Sequence, residues 1–94
     1  MRTIEYANVF KKDFKRVKAS PLHRKDAETL LSAVIKLLVA DKEMPLANRD
    51  HLLSGDWLGY RECHIKPDLL LIYKKQGKET LRLARFGSHS VLFG

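Results

Sequence analysis

The segment from residue 58 to residue 86 constrains the fold most, because it contains three strand-like stretches joined by two short turns. Its middle stretch, LLLIYKK at residues 69–75, is an almost continuous apolar run, which is typical of a central strand. Residues 58–65 form the stretch before it, and residues 79–86 (ETLRLARF) follow it with alternating apolar and polar side chains. The C-terminal half therefore predicts consecutive antiparallel strands.

The N-terminal half predicts a strand followed by two helices. Residues 2–7 (RTIEYA) indicate a short strand, and residues 9–18 an amphipathic helix whose outer face is strongly basic. A second helix is predicted at residues 21–40 from its broad apolar stripe, whereas residues 41–57 lack a clear period and predict a long ordered loop. The order β-α-α-β-β-β predicts an α+β domain in which two helices pack on a mostly antiparallel four-stranded sheet.

Length and composition favour one domain spanning residues 1–94. With 45% hydrophobic residues, the chain can bury a core without support from metals or disulfides. Cys63 is the only cysteine, so no internal disulfide can form, which fits a reducing compartment. Neither a signal peptide nor a membrane-spanning stretch is recognisable. We expect a cytoplasmic protein with no membrane partner.

The charge indicates a partner of opposite sign. Eighteen Lys and Arg residues oppose eleven Asp and Glu residues, which gives a net charge of +7. An excess of this size on a small protein predicts binding to nucleic acid, to an anionic membrane surface or to an acidic protein. A solvated basic surface without a partner is the alternative.

Three of the four histidines occur in segments that adjoin the predicted sheet. His51 lies in the long loop, His64 at the mouth of the central hairpin and His89 in the C-terminal tail. Asp68 follows His64 across a turn that Pro67 stiffens, because the proline ring fixes φ. We expect these side chains to converge at one end of the sheet. The alternative is that His51 only caps the loop and takes no part in a site.

Such a set of side chains suits proton transfer, because imidazole can both take and give a proton near neutral pH. Arg85 can neutralise an oxyanion or a phosphate, and Phe93 can stack on a nucleobase. Together they supply the groups needed to cleave RNA with its own 2′-hydroxyl. A zinc site of His64 and Asp68 with another histidine is an alternative, although their spacing matches no recognised zinc pattern. Cys63 is predicted to face the opposite side of the sheet from His64, which disfavours a Cys-His nucleophile.

Two stretches resemble a known family. DHLLSGDWLGYRECHIKPDLLLIYK at residues 50–74 and RFGSHSVLFG at residues 85–94 resemble the YafQ branch of the RelE-like toxins from bacterial type II toxin–antitoxin modules. The resemblance extends more loosely to the N-terminal strand and helices. It implies an endoribonuclease that cuts mRNA in the ribosomal A site and inhibits translation. It also implies that the family's catalytic group falls on His51, His64, Asp68, Arg85, His89 and Phe93.

The resemblance further implies that a 2′-oxygen attacks the adjacent phosphate, with neither a metal nor a cofactor. His89 is assigned as general acid, and Asp68 or His64 as base. His51 would bind or orient the phosphate, and Arg85 would stabilise the charge of the transition state.

The remaining expectations concern substrate recognition. Phe93 would position a base of the mRNA. Close relatives often carry Trp directly after the Pro-Asp turn, where this chain has Leu69, so a different codon preference is expected if that Trp shapes the cleft.

The implied partners are the ribosome with its mRNA and a cognate antitoxin. An acidic segment is expected in that antitoxin, since opposite charges accelerate association. The hetero-oligomer of toxin and antitoxin is expected to bind operator DNA through the antitoxin. Two other functions stay open on the residues alone: a non-catalytic basic module that binds RNA or an acidic protein, and a metal-dependent hydrolase.

Overall fold

The structure is a computed structural model that describes residues 1–94. Its five strands form one sheet in the order β1-β5-β4-β3-β2. β1 pairs with β5 in parallel, and the other three pairs are antiparallel. The α+β class is confirmed, but the sheet has five strands where four were predicted. The strands are β1 Thr3–Tyr6, β2 His51–Leu52, β3 Arg61–Lys66, β4 Leu69–Gln76 and β5 Thr80–Gly87.

The additional strand lies within the predicted loop. β2 has only two residues, which pair with Glu62 and Arg61 of β3. Such a short strand cannot show an alternating pattern, so its sequence gave no periodic signal. The rest of the segment contains two single-turn 3-10 helices, Leu46–Asn48 and Gly55–Trp57.

Three helices accompany the sheet: α1 Asn8–Ala19, α2 Ala27–Val39 and α3 His89–Phe93. α1 agrees with its prediction, whereas α2 begins six residues later than the predicted 21–40, after a series of turns. Residues before Ala27 have no buried face, as the 77% exposure of Leu22 shows. Helices of this length depend on tertiary packing for stability, so the helix starts where burial starts. None of the helices is long and apolar enough to span a membrane.

Both faces of the central strand are buried. Leu71 and Tyr73 of β4 face α1 and α2, whereas Leu70 and Ile72 face the other side, where Leu92 of α3 covers them. This double burial is what the continuous apolar run at 69–75 predicts. Because the second apolar cluster is small, it leaves part of that face to polar side chains.

Candidate active site

His51 and His64 lie on either side of a buried carboxylate. Nε2 of His51 is 3.5 Å from Oε1 of Glu62, and Nε2 of His64 is 3.7 Å from the same oxygen. The opposite ring nitrogens face backbone carbonyls: Nδ1 of His51 lies 2.7 Å from the Arg49 oxygen, and Nδ1 of His64 lies 3.2 Å from the Pro67 oxygen. A carbonyl can only accept, so each Nδ1 carries a hydrogen and each Nε2 is turned toward the carboxylate.

The alternation of side chains along β3 places Glu62 and His64 on the same face of the sheet. Cys63 and Ile65 are buried against the helices, so Glu62 and His64 face the other side of the sheet. Glu62 is only 5% exposed although it is charged. The sequence prediction did not include Glu62 as a site residue, although its same-face spacing with His64 was the available signal.

Cys63 takes no part in the site. Its side chain is fully buried in the helix-facing core, on the side of the sheet opposite His64. Burial raises the pKa of the thiol to about 12, and the nearby charges of Asp50 and Glu62 add to the effect. A Cys-His nucleophile is therefore ruled out in this fold.

Asp68 holds the N-terminus of α3. Its Oδ1 accepts a hydrogen bond from the backbone N–H of His89 at 3.0 Å. Ser88 caps the same helix through its hydroxyl, and Leu92 anchors it in the small apolar cluster. The ring centroids of His89 and Phe93 are consequently only 5.1 Å apart, and both rings are exposed to solvent.

Arg85 forms an ion pair with a residue that the sequence did not single out. Its Nε and Nη2 donate to the two carboxylate oxygens of Asp13, at 2.7 and 3.2 Å. The backbone N–H of Phe86 donates to the same carboxylate at 3.0 Å. β1 ends at Tyr6, so β5 has no neighbouring strand there, and Asp13 of α1 supplies the missing acceptor.

Asp13 is buried and ionised. Burial raises the pKa of its carboxyl, but hydrogen bonds from Arg85, Phe86 and Arg16 outweigh it and hold that pKa below its usual value. The hydrogen bond that Arg85 donates to Asp13 raises the pKa of the Arg85 guanidinium. The guanidinium therefore stays charged and is held in one orientation.

The sheet register relates these groups to one another. One row of paired residues crosses four strands and contains His51, Glu62, Ile72 and Arg85. The second row after it contains His64, Leu70 and Gly87, and Gly87 leads into α3. With strands about 4.8 Å apart, His64 and Gly87 lie about 10 Å from each other.

All six predicted residues thus lie around one end of the sheet, in three local groups. The first joins His51 and His64 through Glu62, and the second joins Asp68, His89 and Phe93. Arg85 stands with Asp13 in the third group.

A polar cavity of about 460 Å³ opens beside His64. Arg49 and Lys66 contribute to its wall, and Asn48 fixes that wall by donating to the backbone oxygen of His64 at 2.7 Å. No three His, Cys, Asp or Glu side chains, whether at this site or elsewhere in the chain, are grouped to hold a metal ion.

Comparison with known proteins identifies the family. A family described as "Bacterial toxin of type II toxin-antitoxin system, YafQ" matches residues 2–94. The mRNA interferase toxin YafQ of Escherichia coli K12 is 40% identical over 93 residues, which are 99% of this chain and 97% of the relative.

Two solved structures extend the comparison. The E. coli DinJ-YafQ complex matches with a TM-score of 0.84 at 37% identity and full coverage of both chains. A metal-bound toxin from Helicobacter pylori matches with a TM-score of 0.83 at 41% identity, covering 99% of this chain and 100% of that one. The family match covers residues 2–94 and the fold agrees with the solved structures, so the chain belongs to the YafQ family of bacterial toxins from type II toxin–antitoxin systems.

Proposed function

We propose that this chain is the toxin of a type II module and acts, as one domain, as an endoribonuclease that cleaves mRNA in the ribosomal A site. The observation that carries this proposal is the set of three imidazoles, three carboxylates and one arginine around one end of the sheet. Its relative YafQ from E. coli is named an mRNA interferase. Cleavage of translated mRNA would stop protein synthesis.

His64 is the proposed general base. Its Nδ1–H is held by the Pro67 oxygen, so in the neutral ring Nε2 carries the lone pair that takes the proton of the 2′-hydroxyl. The imidazolium that forms then faces the buried carboxylate of Glu62, which offsets its charge. His51, on the other side of Glu62, orients the phosphate.

His89 is the proposed general acid. Asp68 fixes the backbone at His89 through one carboxylate oxygen, so we assign Asp68 to positioning and leave the base to His64. Protonated His89 gives its proton to the 5′-oxygen as the phosphorus–oxygen bond breaks. Phe93, 40% exposed and beside the His89 ring, stacks on a nucleobase of the codon.

Arg85 stabilises the negative charge that develops on the phosphate oxygens, since its guanidinium is held by Asp13 and 22% of its side chain remains exposed. The 2′-oxygen forms a new bond to phosphorus as the 5′-oxygen leaves. The products are a 2′,3′-cyclic phosphate on one fragment and a 5′-hydroxyl on the other. The residues of this chain account for each proton transfer without a cofactor.

The proposed partners follow from the family and the charge. A cognate antitoxin silences the toxin, as the DinJ-YafQ complex of the E. coli relative illustrates. The net charge of +7 favours an acidic segment in that antitoxin. We propose that the complex binds operator DNA through the antitoxin, and that the free toxin acts on ribosomes in the cytoplasm.

Primer extension on a translating mRNA tests the proposal. Wild-type protein should produce cuts at in-frame codons, and the His89→Ala variant should produce at least 100-fold fewer. Absence of cuts with wild-type protein, together with salt-sensitive RNA binding, would favour the non-catalytic binding module instead.

A parallel reaction with EDTA addresses metal dependence, which the metal-bound relative from H. pylori makes worth testing. Cleavage should be unchanged when free divalent ions are removed after the ribosomal complex has been fixed in a magnesium-independent state by cross-linking. Loss of cleavage there, with recovery on adding zinc or copper, would favour a metal-dependent hydrolase.

A further inference from the structure

Asp13 holds a second arginine in addition to Arg85. Nη2 of Arg16, one turn further along α1, donates to Oδ1 of Asp13 at 2.8 Å. The same oxygen accepts from Nη2 of Arg85 at 3.2 Å. Two guanidinium groups from distant parts of the chain are therefore brought side by side on one buried carboxylate.

The second guanidinium lies directly beside the proposed catalytic helix. Nη2 of Arg16 is also 3.4 Å from the backbone oxygen of Phe86. A Cβ atom on Gly87 would lie only 3.1 Å from that nitrogen, so the absence of a side chain at Gly87 makes room for Arg16. Gly87 is two residues from His89, the proposed general acid.

The charges of the group do not cancel. Two arginines face one carboxylate, which leaves a net charge of +1 on the cluster. Asp13 is 1% exposed, whereas 48% of the Arg16 side chain and 22% of the Arg85 side chain remain accessible. A guanidinium has five N–H donors, so both arginines keep donors for an anion from solvent.

We propose that Arg16 and Arg85, aligned by Asp13, form a two-guanidinium site for consecutive phosphates of single-stranded RNA. Arg85 binds the phosphate that is cleaved, and Arg16 binds the neighbouring phosphate on the side of α1. Asp13 is a positioning residue that acts through both arginines. This inference rests on the proposed function, because that function identifies mRNA as the ligand. Its test measures binding of RNA and not cleavage.

The test uses ribosomes programmed with an mRNA that carries 2′-deoxynucleotides in the A-site codon, so that binding is measured without cleavage. Binding of Arg16→Gln is compared with that of Lys15→Gln over a range of salt concentrations. Both variants remove one positive charge from α1, but Lys15 lines the groove toward α2, away from Gly87. Both residues are exposed at the surface of α1, so both variants should fold.

Arg16→Gln is expected to weaken binding to the ribosomes about 10-fold. The slope of log affinity against log salt concentration should become shallower by about 0.7, because one phosphate contact to single-stranded nucleic acid contributes about that much. Arg16→Lys should recover the slope because it keeps the charge. Lys15→Gln should match wild type within twofold. Equal effects of Arg16→Gln and Lys15→Gln would overturn the inference.

The same reagents separate this inference from the proposed function. If wild-type protein fails to cut the corresponding all-ribose mRNA, the nuclease proposal fails whatever the binding data show. The other outcome has two parts: wild-type protein cuts this mRNA and Arg85→Gln does not, but Arg16→Gln and Lys15→Gln bind the ribosomes equally. In that case the nuclease proposal holds and only the two-guanidinium site is wrong.

Discussion

Three carboxylates hold the polar side chains of this protein in place, each from a different element. Asp13 binds Arg85 and Arg16, and Glu62 lies between two histidines. Asp50, just before β2, accepts from the Tyr73 hydroxyl at 2.5 Å and pairs with Arg61 at 3.1 Å. Each carboxylate joins segments that are far apart in sequence, so the polar contacts also fix the packing of the strands and α1.

Glu62→Gln tests whether the buried carboxylate supports catalysis. The amide keeps the size of the side chain but has no charge to offset an imidazolium at His64, so kcat should fall at least 10-fold. Single-turnover cleavage of translated mRNA measures this, and the exposed Glu43→Gln is a charge-matched control. Equal rates for the two variants would contradict the proposed role of Glu62.

Asp13→Asn tests the ion pair at the edge of β5. Because the folded-state pKa of Asp13 lies below its unfolded value of about 3.9, ionised Asp13 stabilises the fold above that pH, and the contribution is lost as pH falls through the folded pKa. The variant should be less stable than wild type by about 2 kcal/mol at neutral pH. Urea unfolding between pH 7 and pH 3 should show this gap shrink in acid. A gap that is independent of pH would contradict the assignment.

Cys63 offers a probe of global unfolding. Burial raises its pKa to about 12, and the side chain has no exposed surface, so the thiol should resist Ellman's reagent at pH 8 in the native protein. Labelling should become complete within seconds in denaturant. Rapid labelling under native conditions would mean that β3 does not pack against the helices as described.

The six candidate site residues were named from the motifs around His64 and His89, and their roles stay a prediction. Their partners could not be predicted. Whether Asp13 contacts Arg85 depends on where β1 ends and how α1 crosses β5. A local sequence pattern predicts neither of these. Glu62 was missed because a charged residue in an alternating strand is usually interpreted as solvent-facing.

Among the elements, the short helix α3 positions two of the proposed site residues. Five residues are too few for an isolated helix, so α3 depends on the Ser88 cap, the Asp68 contact and burial of Leu92. His89 and Phe93 both lie on it. The placement of the proposed acid and of the stacking ring therefore depends on how well this helix is docked.

Leu92→Ala should undock α3. The substitution removes apolar contact with Leu70 and Ile72 and should cost about 2 kcal/mol, mostly as local opening of the C-terminus. Hydrogen exchange at residues 91–94 should accelerate, and cleavage should fall at least 10-fold, while the exposed Val91→Ala leaves both nearly unchanged. Loss of activity without faster exchange would contradict this coupling.

The helices and strands were predicted where burial of one face produces a periodic pattern of apolar residues. α1 and β3 to β5 agree with the sequence interpretation to within a few residues, because each has a buried face. β2 and α3 were missed since two and five residues are too short for periodicity. The start of α2 was placed too early because Ser20-Pro21 suits a helix start locally, although nothing packs against the next turn.

At the scale of the whole molecule, one face of the sheet packs the main apolar core and the other carries the polar site. α1 and α2 cover one face with the larger apolar core, and the other face carries only a small apolar cluster beside the polar site. The core therefore supplies the stability that lets charged groups be held in fixed positions at one end. The positive excess of the chain favours approach to a polyanionic partner, which the proposed action on ribosomes requires.

The chemistry of the cut ends tests attack by the 2′-oxygen most directly. Fragments of a translated mRNA treated with wild-type protein should carry a 2′,3′-cyclic phosphate and a 5′-hydroxyl, and a single 2′-deoxynucleotide at the cut position should block cleavage there. Fragments with 5′-phosphate ends, or undiminished cleavage of the deoxy-substituted mRNA, would contradict attack by the 2′-oxygen and with it the proposed roles of His64 and His89.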